Sequence, residues 1–461
     1  MERLSIKERR YRREKLSCVR HITLDPKGPG VVRIHMIPPR TEDKEAPFLL
    51  LINGAQLVPL NFSWAVLLSD FMDVLEPFAG REIADGDWAS LADKTVAETA
   101  KTYPRTDKKV IRHELDDMIQ SLVAIARGEE PLVEVGALTL GEYASEMTAP
   151  HRVDLMVSAM TKDGAWHCNQ KCLHCYASGQ PMAETRELTT EEWKKVLETL
   201  RRSLIPQVTF TGGEPTLRAD LTELVAAAQW FVTRLNTNGR LLTKELCRGL
   251  YDASLDSVQV TLYASDAAVH DRLVGAPGFA ETVQGIHNAV EAGLNVSVNT
   301  PLCSQNADYA ATLRFAASLG VRYATCSGLI PAGGAQEEES RMTRLGVPEL
   351  TECLRRAMET ARELEMEVDF TSPGWLPEET LRSLGLTLIP SCGACLSNMA
   401  VAPDGTVVPC QSWLGGVTLG SILHDDWAQI WENPTCRGIR AESAKMERIC
   451  QLHKGNGKGD C

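Results

Sequence analysis

Residues 166–177 read Trp166-His-Cys-Asn-Gln-Lys-Cys-Leu-His-Cys-Tyr-Ala177 and place Cys168, Cys172 and Cys175 at CxxxCxxC spacing. Thiolates select soft metals, and iron–sulfur clusters are ordinarily held by four of them. This stretch offers three, which leaves one iron of a four-iron cluster open to a substrate. The competing assignments are a zinc site or three buried thiols. Zinc takes paired CxxC or CxxC/HxxxH ligands, and no such partner follows within roughly the next sixty residues. His174 is the one nearby competitor as a ligand; its other reading is a packed, aromatic-like side chain.

One strand–helix unit later the chain reads Gln207-Val-Thr-Phe-Thr-Gly-Gly-Glu-Pro-Thr216. A β-branched, apolar run enters Gly212-Gly213-Glu214, as a buried strand does when its closing turn must approach something closely. A carboxylate on such a turn suits an ammonium group, although Gly-Gly-Glu alone is ordinary turn chemistry. In this order and spacing the two motifs resemble the radical S-adenosylmethionine (SAM) superfamily. The resemblance implies a 4Fe-4S cluster on Cys168, Cys172 and Cys175. It puts His174 at the family's aromatic position and the amino end of SAM at Gly212, Gly213 and Glu214.

The chain has 461 residues, enough for two or three domains with cores of their own. Its formal net charge of −13 argues against bulk attraction to nucleic acid. No apolar run reaches the roughly eighteen residues of a membrane helix, and the basic N-terminus lacks the apolar segment of a signal peptide. Fourteen cysteines in a chain of this size and kind point to metal rather than disulfides, with a reducing cytoplasm as the expected compartment. Cys18, Cys247, Cys303, Cys326 and Cys353 are scattered and are expected to be ordinary thiols.

Residues 1–30 read as a basic arm carrying Arg9, Arg10, Arg12, Arg13 and Lys15, either solvated or helping to hold an acidic peptide. Within residues 31–130, apolar runs flank Asn53-Gly54, a strong hairpin signal. Three helical patterns follow, at 64–75, 91–101 and 107–127, and Leu115, Met118, Ile119, Leu122 and Ile125 line one face of the last. Strands followed by three helices suggest a small winged-helix-like module, but its last helix (His113-Glu-Leu-Asp-Asp117) is too acidic for DNA. Placed before a radical SAM core, the module resembles the peptide-recognition domain of maturases of ribosomally made peptides. That implies a leader peptide adding as a strand to the small sheet; a purely structural cap is the alternative. Residues 131–150 read as a linker with a short strand at 132–135.

From 151 to 372 strands alternate with helices, beginning with a strand at 153–160 that delivers the cysteine loop. Thr189-Thr-Glu-Glu192 is a capping box. Such alternation implies parallel pairing through right-handed crossovers. Six units fit an α/β fold, an open (β/α)6 partial barrel of the radical SAM kind, with chemistry at the C-terminal strand ends. Asn238, Tyr263, Asn299 and the turn at 328–331 resemble the family's SAM- and substrate-contacting strand ends; ordinary turn residues are the alternative.

Residues 373–461 change character. Cys392-Gly-Ala-Cys395 leads into Asp404-Gly405, a second hairpin signal, and then Cys410. The Cys395…Gly405…Cys410 spacing resembles the SPASM/twitch extension of radical SAM enzymes, which implies auxiliary iron–sulfur clusters. A zinc ribbon is the alternative. The dense second cysteine group of that family is missing: only Cys436, Cys450 and Cys461 remain, and His453 stands where a CxxC partner would be. At least one auxiliary 4Fe-4S cluster is expected, on Cys392, Cys395, Cys410 and a fourth ligand from Cys450 or Cys461.

The resemblance implies reductive cleavage of SAM to a 5′-deoxyadenosyl radical, without a catalytic acid–base pair. The expected reaction is oxidative cross-linking, thioether or carbon–carbon, of a ribosomally synthesised precursor peptide. Two alternatives stand: a sulfatase-type maturase forming formylglycine, and a non-enzymatic iron–sulfur electron carrier or sensor. Expected partners are a precursor peptide with its leader and a reductant such as flavodoxin or ferredoxin, with neither nucleic acid nor membrane.

Overall fold

The computed structural model describes residues 4–24, 32–39, 45–52, 56–78, 85–126, 144, 147–386, 388–445 and 448–452. The chain forms two compact units: Met1–Ala149 with Glu198–Gln207 and Trp230–Val232, and the remainder.

The first unit opens with helix α1 (Ile6–Lys15) and a four-stranded antiparallel sheet in sequence order: β1 (Arg20–Leu24), β2 (Val32–Ile37), β3 (Phe48–Ile52) and β4 (Gln56–Leu60). Helices α2 (Phe62–Leu75), α3 (Asp85–Thr102) and α4 (Lys108–Ala126) follow. Asn53-Gly54 lies outside the described residues, as does the strand expected at 132–135; the pairing of Ile52 with Gln56 brackets the hairpin. On α4, Leu115, Met118 and Leu122 enter the core, with Ile119 and Ile125 packed at its margin.

The solvated arm is corrected. Ser5 and Glu8 form a capping box at the start of α1, and Leu4 and Leu16 are buried in the module's core. Tyr11 donates to Asp70 (2.5 Å), and Lys15 bonds Asp70 (3.1 Å) and Asp73 (2.7 Å). Arg20, on β1, also pairs with Asp73. Lys15 and Arg20 therefore answer internal carboxylates rather than an external peptide. The apolar anchors Leu4, Tyr11 and Leu16 are seven and five positions apart along a mostly charged stretch, which hides the helix from a reading of charge alone.

The second unit is built on one long sheet. Its strands are β5 (Arg152–Ser158), β8 (Gln207–Gly212), β9 (Val232–Thr237), β10 (Ser257–Thr261), β11 (Asn295–Pro301), β12 (Tyr323–Ser327), β13 (Glu367–Phe370), β14 (Asn398–Val401), β15 (Thr406–Val408) and β16 (Gly420–Ser421). A two-stranded ribbon, β6 (Thr161–Lys162) and β7 (Ala165–Trp166), precedes the cysteine loop. The order across the sheet is β13-β12-β11-β10-β9-β8-β5-β14-β15-β16. Neighbours from β9 to β13 pair in parallel, joined by helices that include Lys244–Asp252, Phe279–Glu291 and Tyr309–Ser318. The six expected core strands are present, extended by β13. The C-terminal cysteine segment continues the same sheet, because β14 pairs in parallel with β5. Thr189 and Glu192 form the anticipated box, with Thr189 N–H donating to Glu192 Oε2 at 2.8 Å and Glu192 N–H to Thr189 Oγ1 at 3.3 Å.

A parallel sheet covered on both faces is ordinarily apolar on both. Here the strands alternate. Leu235, Val258, Val260 and Val298 are buried on one face, whereas Arg234, Asn236, Gln259, Thr261, Asn299 and Thr325 line a cavity on the other. The strand residues that face the lumen are thus largely polar. Gln259 donates to Thr325 (3.2 Å) and Thr325 to Asn299 (2.9 Å), so part of that wall is internally satisfied. Among the described residues, no helix is long and apolar enough to cross a membrane.

Candidate active site

The cysteine loop is latched by hydrogen bonds of its own backbone. Lys171 N–H donates to Val274 O (3.0 Å) and Leu173 N–H to Leu273 O (2.9 Å), which zips the loop to the helix Ala267–Val274. Arg240 reaches Asn169 O at 2.7 Å, Ser340 reaches Leu173 O at 2.7 Å, and Gly334 N–H reaches Cys175 O at 2.8 Å. A Cβ on Gly275 would lie 2.3 Å from Lys171 O, so this approach demands glycine.

Cys168, Cys172 and Cys175 face one cavity of 580 Å³, together with His174, Gly213 and Glu214. Burial pushes the Cys168 thiol up to about 12 and raises Cys172 and Cys175 too, so without metal all three are protonated. A bound cation reverses that balance, and loading it releases the protons. Among the described residues, no three ligating side chains are drawn into a closed cage; the thiols share a wall. Three desolvated thiols on one braced loop, opening on one cavity, fit a cluster that keeps one iron accessible.

The Gly-Gly-Glu turn has a reason the sequence did not reveal. Gly212 adopts φ +134°, and a Cβ there would sit 2.1 Å from Ser158 O; one on Gly213 would sit 2.7 Å from Ala159 O. What the turn must approach is the end of β5, to which Gly213 N–H donates at 2.7 Å. Glu214 is buried and its Oε1 accepts from Thr216 N–H (3.0 Å), Thr216 Oγ1 (2.6 Å) and Thr237 Oγ1 (2.6 Å). Its Oε2 accepts only Asn238 N–H at 2.8 Å. Oε1 accepts three donors and Oε2 only one, so Oε2 is the oxygen with room for a further donor such as an ammonium in the cavity. Burial raises the Glu214 pKa against the lowering effect of these bonds; a cation at Oε2 would favour the charged form.

Asn238 links the two motifs, its Nδ2 donating to Asn169 Oδ1 at 2.6 Å. His174 Nε2 lies 2.8 Å from Thr343 Oγ1, whose own hydrogen goes to Ser340 O at 2.7 Å, so His174 carries its hydrogen on Nε2. Burial holds His174 down to about 4, and its Nδ1 is buried with no partner, an acceptor ready for a ligand donor. Tyr263, two residues past β10, is fixed by a bond from its N–H to His270 Nδ1 (3.3 Å) and stands 6.0 Å from the His174 ring. Asn299 is not at a strand end as expected. It is the fifth residue of β11, inside the lumen wall, with Oδ1 taken by Thr325.

The same cavity reaches Cys392, Cys410 and Cys450. The Cys450 and Cys392 thiols hydrogen-bond each other, which holds Cys392 below its ordinary value. Cys395 is fully buried, adopts a left-handed φ of 54°, and packs beside Cys436 with Cys410 also nearby. Cys436, named among the remaining C-terminal cysteines but given no ligand role there, sits on the helix Pro434–Ala444, one turn before Arg440, which contacts its Sγ at 3.5 Å and stacks on Trp431 at 3.9 Å. The i, i+4 Cys–Arg spacing was the available signal. Cys461 and His453 lie outside the described residues. Lumen residues such as Arg234 and Asn236 were also missed; the period-two alternation of Val232-Thr-Arg-Leu-Asn-Thr237 would have found them.

Comparison with known proteins agrees with this geometry. Residues 167–316 match the radical SAM superfamily and residues 392–453 an iron–sulfur cluster-binding domain, SPASM. The Fe-coproporphyrin III synthase of Methanosarcina barkeri is 37% identical over 30% of this chain and 35% of its own length. The PqqA peptide cyclase of Rhodopseudomonas palustris is 28% identical over 61% of this chain and 75% of that protein. The chain thus spans about a third of the first of these relatives and three quarters of the second. Streptococcus suis SuiB, solved bound to its precursor peptide SuiA, superposes with a TM-score of 0.61 at 14% identity, covering 90% of this chain and 94% of that one. That likeness is one of fold. The two domain matches bring with them SAM and a 4Fe-4S cluster in the barrel, and auxiliary iron–sulfur binding in the C-terminal segment. The chain carries a radical SAM domain at residues 167–316 and a SPASM iron–sulfur cluster-binding domain at residues 392–453.

Proposed function

We propose that this protein is a radical SAM maturase that oxidatively cross-links a ribosomally synthesised precursor peptide. The observation that carries the reading is one continuous cavity that runs from the Cys168–Cys175 loop and Glu214 to Cys392, Cys410 and Cys450. When bound, the cluster and SAM supply one-electron cleavage of SAM and a hydrogen-abstracting adenosyl radical. The protein's own work is placement. Cys168, Cys172 and Cys175 hold the barrel cluster. Gly213 and Glu214 Oε2 orient the ammonium of SAM, and His174 Nδ1 accepts a hydrogen bond from its base. Tyr263 and Asn299 wall the space beyond. Cys392, Cys410 and Cys450, on the same cavity, hold auxiliary iron within reach of a substrate's surplus electron.

A side chain entering this lumen is separated from bulk water, which keeps a reactive carbon from side reactions. The first unit's sheet has two edge strands among the described residues, β1 and β4, and either can accept a leader peptide as an added strand. A flavodoxin or ferredoxin in a reducing cytoplasm provides the electron. PqqA peptide cyclase is, by its name, a peptide-modifying relative, and SuiB binds a precursor peptide.

The test is anaerobic reconstitution with SAM and dithionite, with and without a candidate ribosomally synthesised precursor peptide. The expected products are 5′-deoxyadenosine and a peptide lighter by two hydrogens. Cys172→Ala is expected to abolish 5′-deoxyadenosine while keeping auxiliary iron. Undiminished 5′-deoxyadenosine in that variant would overturn the assignment of the loop, and cleavage of SAM with no change in peptide mass would overturn the maturase.

A further inference from the structure

The strand ends and thiols leave the deeper lumen unexplained. Arg234 is the third residue of β9 and stands about 10 Å below the end of that strand, at roughly 3.3 Å per residue. Its guanidinium lines the cavity and makes no hydrogen bond or ion pair among the described residues. Arg152, the first residue of β5, lines the same cavity and places Nε 3.0 Å from Asp154 Oδ1. Asp154 is almost wholly buried. The next carboxylate, Asp369, is engaged by the Tyr323 hydroxyl at 2.9 Å.

Two guanidinium groups therefore share one nearby carboxylate in a desolvated space. Burial lowers the Arg234 pKa, and the neighbouring charge of Arg152 lowers it further. That is an electrostatic debt a second anion would relieve. A fixed fork of N–H donors suits a planar carboxylate. Two residues up the strand, Asn236 Oδ1 is buried, on the cavity and without a partner. It calls for an N–H donor about 7 Å away along the strand. A free inorganic anion offers no such donor, whereas a peptide offers both groups at this separation.

We propose that Arg234, supported by Arg152, is a carboxylate-binding subsite on the lumen wall, and that Asn236 Oδ1 takes an amide N–H of the same ligand. The ligand is an acidic residue, or the terminal carboxylate, of a peptide threaded into the barrel. The subsite fixes which residue comes to rest beneath SAM, so it determines register. This rests on the reading of the protein as a peptide maturase.

The test is arginine-selective labelling with phenylglyoxal, read residue by residue by mass spectrometry. It uses the full chain, anaerobically reconstituted, with SAM present throughout so that the carboxylate of SAM is constant. Exposed Arg9 is the internal reference. Three probes are compared at equal millimolar concentration: N-acetyl-glutamate amide, N-acetyl-glutamine with a free carboxylate, and N-acetyl-glutamine amide. Arg234 is expected to label when no probe is added. At least one carboxylate probe should slow its labelling several-fold relative to Arg9, and the neutral diamide should not. Protection by the first probe identifies a side-chain carboxylate, and protection by the second a chain terminus. An Arg234 that never labels, or that all three probes protect equally or none protects, overturns the subsite. The same preparation is assayed for 5′-deoxyadenosine and peptide turnover. Active protein without protection sinks the subsite alone, whereas protein that never modifies a peptide sinks the maturase reading.

Discussion

Gly212 shows how one residue couples backbone geometry to cofactor binding. Its φ of +134° suits glycine, and a Cβ would overlap Ser158 O. In Gly212→Ala the conformation alone costs about 1–3 kcal/mol, and the overlap forces β8 away from β5. The expected result is a lower unfolding temperature together with SAM affinity reduced by about tenfold or more, equivalent to about 1.4 kcal/mol, read by calorimetric titration. Normal SAM binding at a lowered unfolding temperature would show that the turn serves packing only. Glu214 separates the two roles differently. In Glu214→Gln an amide nitrogen replaces one acceptor oxygen and faces donors, which costs about 1–3 kcal/mol. Weaker SAM binding is expected with barrel iron content unchanged, because Glu214 braces β8 to Thr237 and Asn238 rather than to a thiol. Unchanged SAM affinity would remove Glu214 from the ammonium site. Both motif glycines and the glutamate were legible in the sequence. The packing of Cys395 beside Cys436 was not, since it depends on which side of a hairpin base a side chain leaves.

At the scale of an element, α1 is held by charge as much as by burial. Asp70 accepts from Tyr11, Lys15 and Thr99 in the core of the module. Asp70→Asn leaves Lys15 without one of its two carboxylates and turns an acceptor into a donor. Lys15 is 34% exposed, so the loss is that of unsatisfied partners at the buried carboxylate, about 1–3 kcal/mol; faster hydrogen exchange through α1 is the expected readout, and unchanged protection would refute the docking. Asp73 gives the pH dependence. Burial pushes its carboxyl up, but the hydrogen bonds from Lys15 and Arg20 outweigh this and hold it below its ordinary value. A depressed carboxylate contributes stability that is fully present above its unfolded pKa of about 3.9 and is lost as pH falls through the folded value. The module is therefore expected to loosen on acidification below about pH 4. Asp73→Asn should flatten that part of the profile in circular dichroism, and an unaltered acid limb would count against the pairing. A stretch of arginines and lysines read as an arm because partners far along the chain, at 70 and 73, cannot be seen from local charge.

At the scale of the whole molecule, the barrel and the SPASM segment are one sheet. Because β14 covers the β5 edge, ending the chain at residue 391 would expose an edge strand beside the Gly213 turn. Such a truncation is expected to aggregate rather than to yield a barrel that cleaves SAM; a monomeric, SAM-cleaving product on size-exclusion chromatography would show that the two segments fold independently. The sequence by itself determined the local chemistry: three thiols within one loop, a glycine turn after a strand, and strands alternating with helices. Those signals are short-range, because thiol spacing, turn torsions and periodicity are properties of neighbouring residues. Tertiary structure alone decided the rest. It joined β14 to β5, set Cys392, Cys410 and Cys450 on the cavity of the first three thiols, and packed Cys395 beside Cys436. It also brought Arg152 and Arg234 to one lumen wall from strands about eighty residues apart. Long-range pairing fixes which residues share a wall, and no local pattern encodes the register that brings them there.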